Sequence, residues 1–397
     1  MPGLPKIMLV DMNSFFASVE QQALPALRGR PVGVCASLHE TSCLIAASKE
    51  AKAAGIGTGT LIYRARRICP EIVLVRADPP KYRQVNRSLN RIFADYSDRI
   101  EPYSIDESFL DLTDCAINPL QAGAEIKRRI KSEVGEWLTC SVGLAENKFL
   151  AKLAADLKKP DGLTVIWREN LPEIYRHKKL SDLWGLARGW ERRLAKLGIA
   201  SPAQLLGYPV ENLIALFGKP GFYLWQRVNG LERDVISPVS EEFEETKSFG
   251  NSWVLNFRSR DKNRIRPAVL RLAEKAARRM RGEGYVAFNV ACSITLQDGA
   301  FFHKSRTLRY PVETGQELYQ RVLEIWKGWD FSSPVSHVAV RFGSLKPKIR
   351  QLSLFSEKGD LVGCLDRIND KYGEFTIRSG LLLRTADFAP DAIAFGK

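Results

Sequence analysis

The sequence lacks any apolar stretch near the roughly 20 residues that a membrane-spanning helix needs. Its first residues, MPGLPKIMLVDMN, contain only a short apolar run that an acidic residue interrupts, so no secretory signal is predicted. These two absences predict a cytoplasmic protein with no membrane partner.

Metal sites built on cysteine or histidine are also missing. The 7 cysteines are scattered, odd in number and never spaced as CxxC, and the 4 histidines lie far apart. We therefore expect reduced thiols, without a zinc site or a disulfide framework. The rest of the composition, 45% hydrophobic and 26% charged, is typical of a globular protein, and 397 residues are enough for two to four domains.

Basic residues outnumber acidic ones, 59 to 45, and the net charge of +14 favours a polyanionic partner. The excess is densest at 258–281, where ten basic residues accompany two acids. From Pro267 onward this segment predicts an amphipathic helix. Its apolar side is formed by Val269, Leu270, Leu272, Ala273, Ala276, Ala277 and Met280. Its basic side is either a solvated helical face or a phosphate-binding surface.

Strands and helices are mixed over the first 165 residues or so, which predicts α+β or α/β layers. Residues 6–12 are predicted as a buried strand, followed by a helix with Ser14 as its N-cap. The segment from 170 to 233 is helical, with a Gly-containing turn in LWGLARGWERR. That turn fits a helix-hairpin-helix that offers backbone N–H groups to a phosphate. An ordinary helical corner is the alternative, because Ala187 stands where such hairpins usually have glycine.

Residues 234–244 are predicted as an inter-domain linker, since they combine Pro, Ser and Glu. Beyond the linker, the pattern predicts a small α+β domain of four strands and two helices. No fold is predicted for the last 50 residues.

Two adjacent carboxylates, Asp106 and Glu107, lie in SIDESFLD just before a predicted strand. A third, Asp11, ends the first buried strand, where a charge is costly unless it is paired or binds a cation. If the two strands are neighbours, the three carboxylates converge on a site of oxygen ligands that suits Mg²⁺. Two such ions would support an in-line phosphoryl displacement. Alternatively, Asp106 and Glu107 belong to a surface turn and Asp11 caps the next helix.

Five motifs, in this order, resemble the Y-family translesion DNA polymerases over roughly residues 6–345. They are DMNSFFASVE, EAKAAGI, YSIDESFLDLT, SVGLAENKFLAKLAADLKKPDGLTVI and LWGLARGWERRLAKLGI. The resemblance points to bacterial DinB-type and polymerase V-type members without separating them. It implies a right-hand α+β polymerase with a palm, fingers, a thumb carrying a helix-hairpin-helix, and a C-terminal little finger. The implied bounds are palm 1–21 and 79–168, fingers 22–78, thumb 169–233, little finger 245–346 and tail 347–397.

The resemblance implies a template-directed DNA polymerase for error-prone translesion synthesis in DNA repair, acting in the bacterial cytoplasm at the nucleoid. Its substrates would be primer–template DNA and deoxynucleoside triphosphates, and its cofactor two Mg²⁺ ions, with Mn²⁺ as a substitute. The implied metal ligands are Asp11, Asp106, Glu107 and the carbonyl group of Met12. The same three carboxylates are the implied catalytic residues.

For the nucleotide, the resemblance implies that Phe16 is the steric gate that rejects a 2′-hydroxyl, because a close aromatic wall leaves no room for it. Neighbouring Phe15 is equally explained by core packing. Further implied nucleotide contacts are Cys43, Ile45, Lys49, Lys52 and Lys159. Implied DNA contacts are Gly185 and Arg188 in the hairpin and Arg258, Arg260, Lys262 and Arg264 in the little finger.

Three positions depart from the family pattern. Asn13 replaces a frequent second Asp, and Ala46 and Lys49 replace a frequent Thr and Tyr near the triphosphate. Lys49 is predicted to substitute charge for the missing hydrogen bond.

A pentapeptide outside the core motifs, QLSLF at 351–355, resembles the bacterial sliding-clamp-binding peptide. Gln351, Leu352, Leu354 and Phe355 would be its anchors; an apolar strand packed on the little finger is the alternative. A polymerase V-type accessory subunit is a further candidate partner.

Two other functions stay open. One is a non-catalytic scaffold that binds clamp and DNA, which would need no metal triad. The other is a palm-type nucleotidyl cyclase, which would need no thumb hairpin.

Overall fold

The computed structural model describes residues 4–232, 236, 246–348, 361–383, 385 and 389, which divide into two compact units. The first unit contains residues 4–38 and the described residues from 43 to 236. The second contains 39–42 and the described residues from 246 onward. No helix within these ranges is long and apolar enough to cross a membrane.

The first unit holds eight strands and eleven α-helices among the described residues. In chain order they are β1 Ile7–Met12, α1 Phe15–Ala23, β2 Val32–Cys35, β3 Leu44–Ala47, α2 Lys49–Ala53, α3 Ile62–Ile68, β4 Val73–Arg76, α4 Pro79–Ala94, β5 Ile100–Pro102, β6 Glu107–Asp111, α5 Pro119–Arg129, β7 Cys140–Ala145, α6 Lys148–Leu157, β8 Leu163–Val165, α7 Leu171–Arg176, α8 Arg188–Ala195, α9 Pro202–Leu206, α10 Val210–Phe217 and α11 Lys219–Val228.

A five-stranded sheet in the order β5-β6-β1-β7-β8 forms the centre of this unit. Strand β1 lies in the middle, antiparallel to β6 and β7, and all of its residues except Asp11 are buried. Helices cover both faces of the sheet, so β1 is a nearly continuous apolar run rather than an alternating one. A separate three-stranded sheet, β3-β2-β4, packs with α2 and α3 around its own small core.

Helix α6 passes unusually close to strand β7 because Gly143 has no side chain. A Cβ atom at Gly143 would lie 2.1 Å from the carbonyl oxygen of Ala151 and 2.4 Å from the amide nitrogen of Ala155. Glycine is therefore required here for close approach rather than for an unusual φ angle. The contact fixes α6, and the lysines along it, against the central sheet.

The expected N-cap of α1 is wrong in its chemistry, although the helix is present. Ser14 occupies the cap position, but its φ is 50° and its side chain makes no capping hydrogen bond. A left-handed residue at this point turns the chain sharply between β1 and α1. The hydroxyl group of Ser18 instead donates to the carbonyl oxygen of Asn13, at 2.8 Å.

The described part of the second unit contains the four strands and two helices that the sequence predicts, plus one more α-helix. They are β9 Ser248–Ser259, α12 Lys262–Gly282, β10 Tyr285–Leu296, β11 Phe301–Val312, α13 Gly315–Trp326, β12 Val335–Pro347 and α14 Leu361–Tyr372. The sheet order is β11-β10-β12-β9, and every pair is antiparallel. The predicted apolar side of the basic helix is buried in full.

The predicted start of that basic helix at Pro267 is wrong: α12 begins at Lys262. The Asp261 side chain caps the helix by accepting a hydrogen bond from the Asn263 amide, at 2.8 Å. This cap extends the helix upstream and leaves Pro267 inside it, where the ring costs one backbone hydrogen bond.

The tail, for which no fold was predicted, packs on α12. Arg281 makes two 2.8 Å hydrogen bonds to the Asp366 carboxylate, and Arg278 pairs with Asp370. The guanidinium of Arg271 lies 4.1 Å from the Phe375 ring centroid. A fourth contact is more deeply buried: the Lys275 ammonium group donates to the carbonyl oxygen of Ala389, at 2.9 Å. Leu382 is fully buried in the core of the unit, so the tail belongs to it.

Candidate active site

The three predicted carboxylates lie at the end of the β1–β6 strand pair. Asp11 lies directly opposite Glu107 in the antiparallel register, and directly opposed residues project from the same face of a sheet. Asp106 precedes β6 in a tight turn, closed by the Tyr103 and Ser104 amides donating to the Glu107 carbonyl oxygen at 3.0 and 3.1 Å. This bend removes the strict alternation that would send adjacent side chains to opposite faces.

Two lysines hold two of these carboxylates. The ammonium group of Lys159 lies 2.8 Å from an Asp11 oxygen, and that of Lys152 lies 2.5 Å from a Glu107 oxygen. Asp106 accepts a 2.6 Å hydrogen bond from Ser104. Within the described ranges, no three acidic, histidine or cysteine side chains are grouped so as to hold a metal ion. The same carboxylates nevertheless offer only oxygen ligands, the donor set that fits Mg²⁺.

Burial is the main influence on the acids. It raises the pKa of Asp11, and Lys159 only partly offsets the effect. It likewise raises the pKa of Glu107, against the opposing influence of Lys152. Burial alone would lower the pKa of Lys159, but Asp11 and Asp156 raise it overall. The pKa of Lys52 is lowered, first by burial and then by the nearby charge of Lys159. The site thus holds carboxylates and lysine ammonium groups side by side in a partly desolvated environment.

Asn13 fastens the end of β1 to the chain that carries Lys159. Its side-chain oxygen accepts from the Asp161 amide at 2.8 Å and from the Thr139 hydroxyl at 3.1 Å, while its amide group donates to Ser141 at 2.9 Å. An aspartate could not make that last donation. Asn13, noted in the sequence only as a departure, therefore has a positioning role in this chain.

A cavity of about 740 Å³ opens beside the carboxylates. Nine of the predicted residues line it, namely Asp11, Met12, Phe15, Phe16, Ile45, Lys49, Lys52, Asp106 and Lys159. Glu107 and Cys43 are absent from the lining; Cys43 pairs with Leu61 in an isolated bridge. A volume of this size is in the range of small-ligand pockets.

Phe16 and Phe15 both line the cavity and are both buried in the core behind it. The Phe16 ring stacks on Tyr82, with centroids 4.5 Å apart and an interplanar angle of 26°. The Tyr82 hydroxyl group in turn donates to Glu20 at 2.7 Å. Tyr82 therefore supports the ring of Phe16, the candidate steric gate. Core packing also accounts for the burial of both Phe15 and Phe16.

Lys49 lies over an aromatic ring that the sequence reasoning missed. Its ammonium group is 4.8 Å from the Trp137 ring centroid, and the Arg28 guanidinium is 5.4 Å from the same ring. The indole N–H donates to the Gln21 side chain at 3.1 Å, which fixes the ring. Lys49 is thus a cation–π partner at the cavity rim. Lys131, also overlooked, lines the same cavity and pairs with Asp161 at 2.8 Å.

Residues of the predicted hairpin line a second cavity, of about 690 Å³, between α6 and the turn that precedes α8. The turn follows a short 3-10 helix, Leu180–Asp182, rather than an α-helix. Gly185 has a φ of 81°, the left-handed region that favours glycine, and Arg188 is the first residue of α8. Both line the cavity, together with Trp184 and Lys152. Lys152 was not identified from the sequence, because its importance depends on how α6 packs across β7 and the central sheet.

The four predicted DNA contacts in the second unit have different surroundings. Arg258 donates to backbone carbonyl groups of Leu255 and Phe257, and burial lowers its pKa. Lys262 donates to the Trp326 and Trp329 carbonyl oxygens at 2.9 and 2.7 Å. Arg264 stacks on Phe257 at 5.1 Å, while Arg260 is exposed. The basic strand β11 also exposes Lys304 and Arg309, which the sequence reasoning did not single out. The clamp-motif residues 351–355 lie outside the described residues.

Comparison with known proteins identifies the sequence pattern. Residues 10–156 match the impB/mucB/samB family, and residues 246–354 match the C-terminal domain of the same family. The chain is 34% identical to a DNA polymerase IV of Pelotomaculum thermopropionicum over 96% of each chain. It is 36% identical to that of Moorella thermoacetica, again over 96% of each, and 32% identical to DNA polymerase IV 1 of Bacillus subtilis over 100% of this chain and 98% of the relative.

Solved structures support the fold. A Y-family DNA polymerase chimera of Dbh and Dpo4 aligns with a TM-score of 0.72 and 24% identity, covering 86% of this chain and 99% of the chimera. An insertion ternary complex of Dbh DNA polymerase aligns with a TM-score of 0.54 and 24% identity, covering 85% of this chain and 98% of that one. The predicted α+β polymerase architecture with a C-terminal little finger is thereby confirmed.

Proposed function

Because the chain belongs to the impB/mucB/samB family, the Y-family DNA-directed DNA polymerases of the DNA polymerase IV type, we propose that its carboxylate cluster catalyses nucleotidyl transfer during translesion synthesis. The substrates are a primer–template and a deoxynucleoside triphosphate. The primer 3′-hydroxyl oxygen attacks the α-phosphorus of the nucleotide, a phosphodiester bond forms, and pyrophosphate leaves.

One observation carries this proposal: Asp11 and Glu107 face each other across a strand pair beside a cavity of substrate size. Asp106 lines that cavity, and Lys52 and Lys159 lie on its wall. A site that combines carboxylate oxygen ligands with lysine ammonium groups fits a metal-bound triphosphate better than an uncharged ligand.

The three carboxylates, with the carbonyl group of Met12, are the residues that would hold two Mg²⁺ ions. Such ions would lower the pKa of the 3′-hydroxyl group and neutralise the leaving pyrophosphate. For these ligands to serve, Lys152 and Lys159 must release the carboxylates that they now hold. Lys159 can then pair with the triphosphate, whose negative charge takes the place of that of Asp11.

Lys52 and Lys159 bind the phosphates, and the lowered pKa of Lys52 suits a group that gains its full stabilisation only when an anion arrives. Phe16 closes the cavity where the sugar would lie and so excludes a 2′-hydroxyl group. Ile45 forms the apolar roof over the new base pair. A roof of this kind selects weakly on shape, which suits the copying of damaged templates.

Primer extension by the purified chain tests the proposal, with Asp106→Asn as the variant and Asp98→Asn as the matched control. The Asp98 side chain is 92% exposed and lies away from the cavity. We expect wild type and Asp98→Asn to extend and Asp106→Asn to lose at least a hundredfold in rate. If wild type binds primer–template yet never extends it, with Mg²⁺ or Mn²⁺, the scaffold function replaces the polymerase. Extension by the chain alone would also make an accessory subunit unnecessary.

The domain bounds form part of the same proposal. The central sheet serves as the palm (1–21 and 79–168), the three-stranded sheet as the fingers (22–78), and helices α7–α11 as the thumb (169–233). Residues 245–346 of the second unit serve as the little finger, after a linker at 234–244. The hairpin at Gly185 and Arg188 would hold a primer-strand phosphate, and the exposed basic residues of the little finger would hold others, with salt-sensitive affinity.

Sliding-clamp binding through QLSLF at 351–355 is proposed on the sequence motif and on its place directly after β12. Changing Leu354 and Phe355 together to Ala removes both apolar anchors. We expect clamp-stimulated extension to fall to the level seen without clamp, while clamp-free extension stays unchanged. Equal loss of both activities would instead indicate that the segment packs on the little finger.

A further inference from the structure

Lys152 lies at the junction between the carboxylate cluster and the hairpin cavity. It is on the face of α6 that Lys148 shares, one turn earlier, and both reach acids on the neighbouring strands. Lys148 pairs with Glu101 at 3.1 Å, outside both cavities, whereas Lys152 pairs with Glu107 and also lines the hairpin cavity. The two lysines are chemically alike but differ in what they can reach.

An aromatic pair fixes the ammonium group of Lys152. It lies 5.6 Å from the Tyr103 ring centroid and 6.0 Å from that of Trp184. The two rings meet edge to face at 5.2 Å, and Trp184 belongs to the hairpin itself. Two ring faces at these distances stabilise a cation in place even when its carboxylate partner is removed.

Charge balance requires a cation at this point. A primer running from the hairpin to the carboxylates would bring its last phosphodiester groups toward Asp106 and Glu107, which repel them. Among the described lysines, Lys152 lines the hairpin cavity and contacts one of the three carboxylates at the same time. Once Glu107 has another partner, the fixed ammonium group faces the arriving phosphate.

We propose that Lys152 binds the phosphodiester group that joins the last two nucleotides of the primer, and so aligns the 3′-hydroxyl group at Glu107. This inference rests on the proposed function, because it presumes that primer–template DNA is the substrate. It adds a substrate contact that is separate from the metal ligands and from the triphosphate lysines. Lys152 exchanges one anion for another, Glu107 for phosphate, as the primer arrives.

The test measures affinity rather than turnover. Fluorescence anisotropy gives the dissociation constant for primer–template in Mg²⁺, with a dideoxy-terminated primer so that no extension occurs. Each protein is measured on a natural primer and on one whose last linkage is an uncharged methylphosphonate. A further primer carries the methylphosphonate one linkage upstream, to locate the contacted phosphate. The variants are Lys152→Met, which keeps the length of the side chain, Lys152→Arg, which keeps its charge, and the matched control Lys148→Met.

On the natural primer, Lys152→Met is expected to bind about tenfold more weakly than wild type, as for one charge-assisted hydrogen bond. On the methylphosphonate primer the two proteins should differ less than twofold, since the partner charge is gone. Lys152→Arg should stay within about threefold of wild type, and Lys148→Met should show the same small effect on both primers. Circular dichroism confirms that each variant is folded.

An equal loss on both primers would overturn the inference and assign Lys152 a role through Glu107 alone. No loss on either primer would overturn it as well. If the coupling appears only when the linkage one position upstream is neutralised, the proposed phosphate is wrong. A wild-type chain that fails to bind any primer–template refutes the proposed function too, which separates that failure from a failure of Lys152.

Discussion

Replacing Gly143 by Ala tests how the active-site lysines are held in place. The added Cβ would lie 2.1 Å from the Ala151 carbonyl oxygen and 2.4 Å from the Ala155 amide nitrogen. Side-chain atoms can rotate away from a clash, but these are backbone atoms in the middle of α6. The helix must therefore move away from β7 by about an ångström, to reach ordinary van der Waals separation.

Overpacking a well-filled core costs about 1–3 kcal/mol, and backbone partners place Gly143→Ala at the upper end, about 3 kcal/mol. For a unit of this size, each kcal/mol lowers the melting temperature by roughly 2–4 °C. We expect a fall of about 6–12 °C, measured by circular dichroism. Extension by the folded variant should fall at least tenfold, because α6 carries Lys152 and leads into Lys159, and small misplacements of reacting groups are costly.

Gly189→Ala is the matched control. Gly189 lies in α8, a Cβ there would meet nothing within 4 Å, and alanine is the better helix former by about 0.5–1 kcal/mol. We expect the control to melt at or slightly above the wild-type temperature. If Gly143→Ala melts within a degree of wild type, α6 does not pack on β7 as closely as described, and the placement of its lysines would have to be reconsidered.

Three further predictions follow from individual contacts. Phe16→Ala should raise ribonucleotide insertion at least tenfold relative to deoxyribonucleotide insertion; unchanged sugar discrimination in single-nucleotide assays would remove Phe16 from the gate. Asn13→Ala loses the hydrogen bond to the Asp161 amide, so KM for the nucleotide should rise severalfold with a smaller change in kcat; the opposite split would contradict a positioning role. Burial raises the pKa of Glu274 above its ordinary 4.5, and Arg281 offsets this only in part. The folded state then takes up a proton at Glu274 more readily than the unfolded state does. The contribution of protonated Glu274 to the free energy of unfolding is therefore lost as pH rises through and above 4.5. Glu274→Gln should therefore raise the melting temperature at pH 7 but not below pH 4.5; an equal gain at both pH values would refute the charge as its cause.

The carboxylates could be predicted from the sequence because a strand pair presents its facing residues together. Asp11 and Glu107 needed only the correct register, and the motif around Asp106 supplied the turn. Their lysine partners could not be predicted in the same way. Lys152 is 45 positions from Glu107 along the chain, and their contact depends on the crossing of α6 over β7, which a glycine at 143 permits.

Other residues were missed because their partners are also distant along the chain. In the sequence, Trp137 is an isolated aromatic residue. Only the structure shows that Gln21 fixes its ring and that Lys49 lies over it. The tail helix was missed because its acids, such as Asp366, are explained only by basic partners 85 positions earlier. The same pairing changes the interpretation of the basic helix. Arg281, at its end, pairs with Asp366 of the tail, so part of the positive charge of the segment is balanced within the protein.

The docking of the tail predicts that its contacts hold it in place even without covalent continuity. Contacts of described tail residues, such as Asp366 and Leu382, attach the tail to the second unit beyond the interval 349–360. A protein cut by protease in that interval should remain associated as two fragments at low salt. A synthetic peptide of the tail sequence should likewise complement a truncated second unit, which makes the final segment an exchangeable part of the domain.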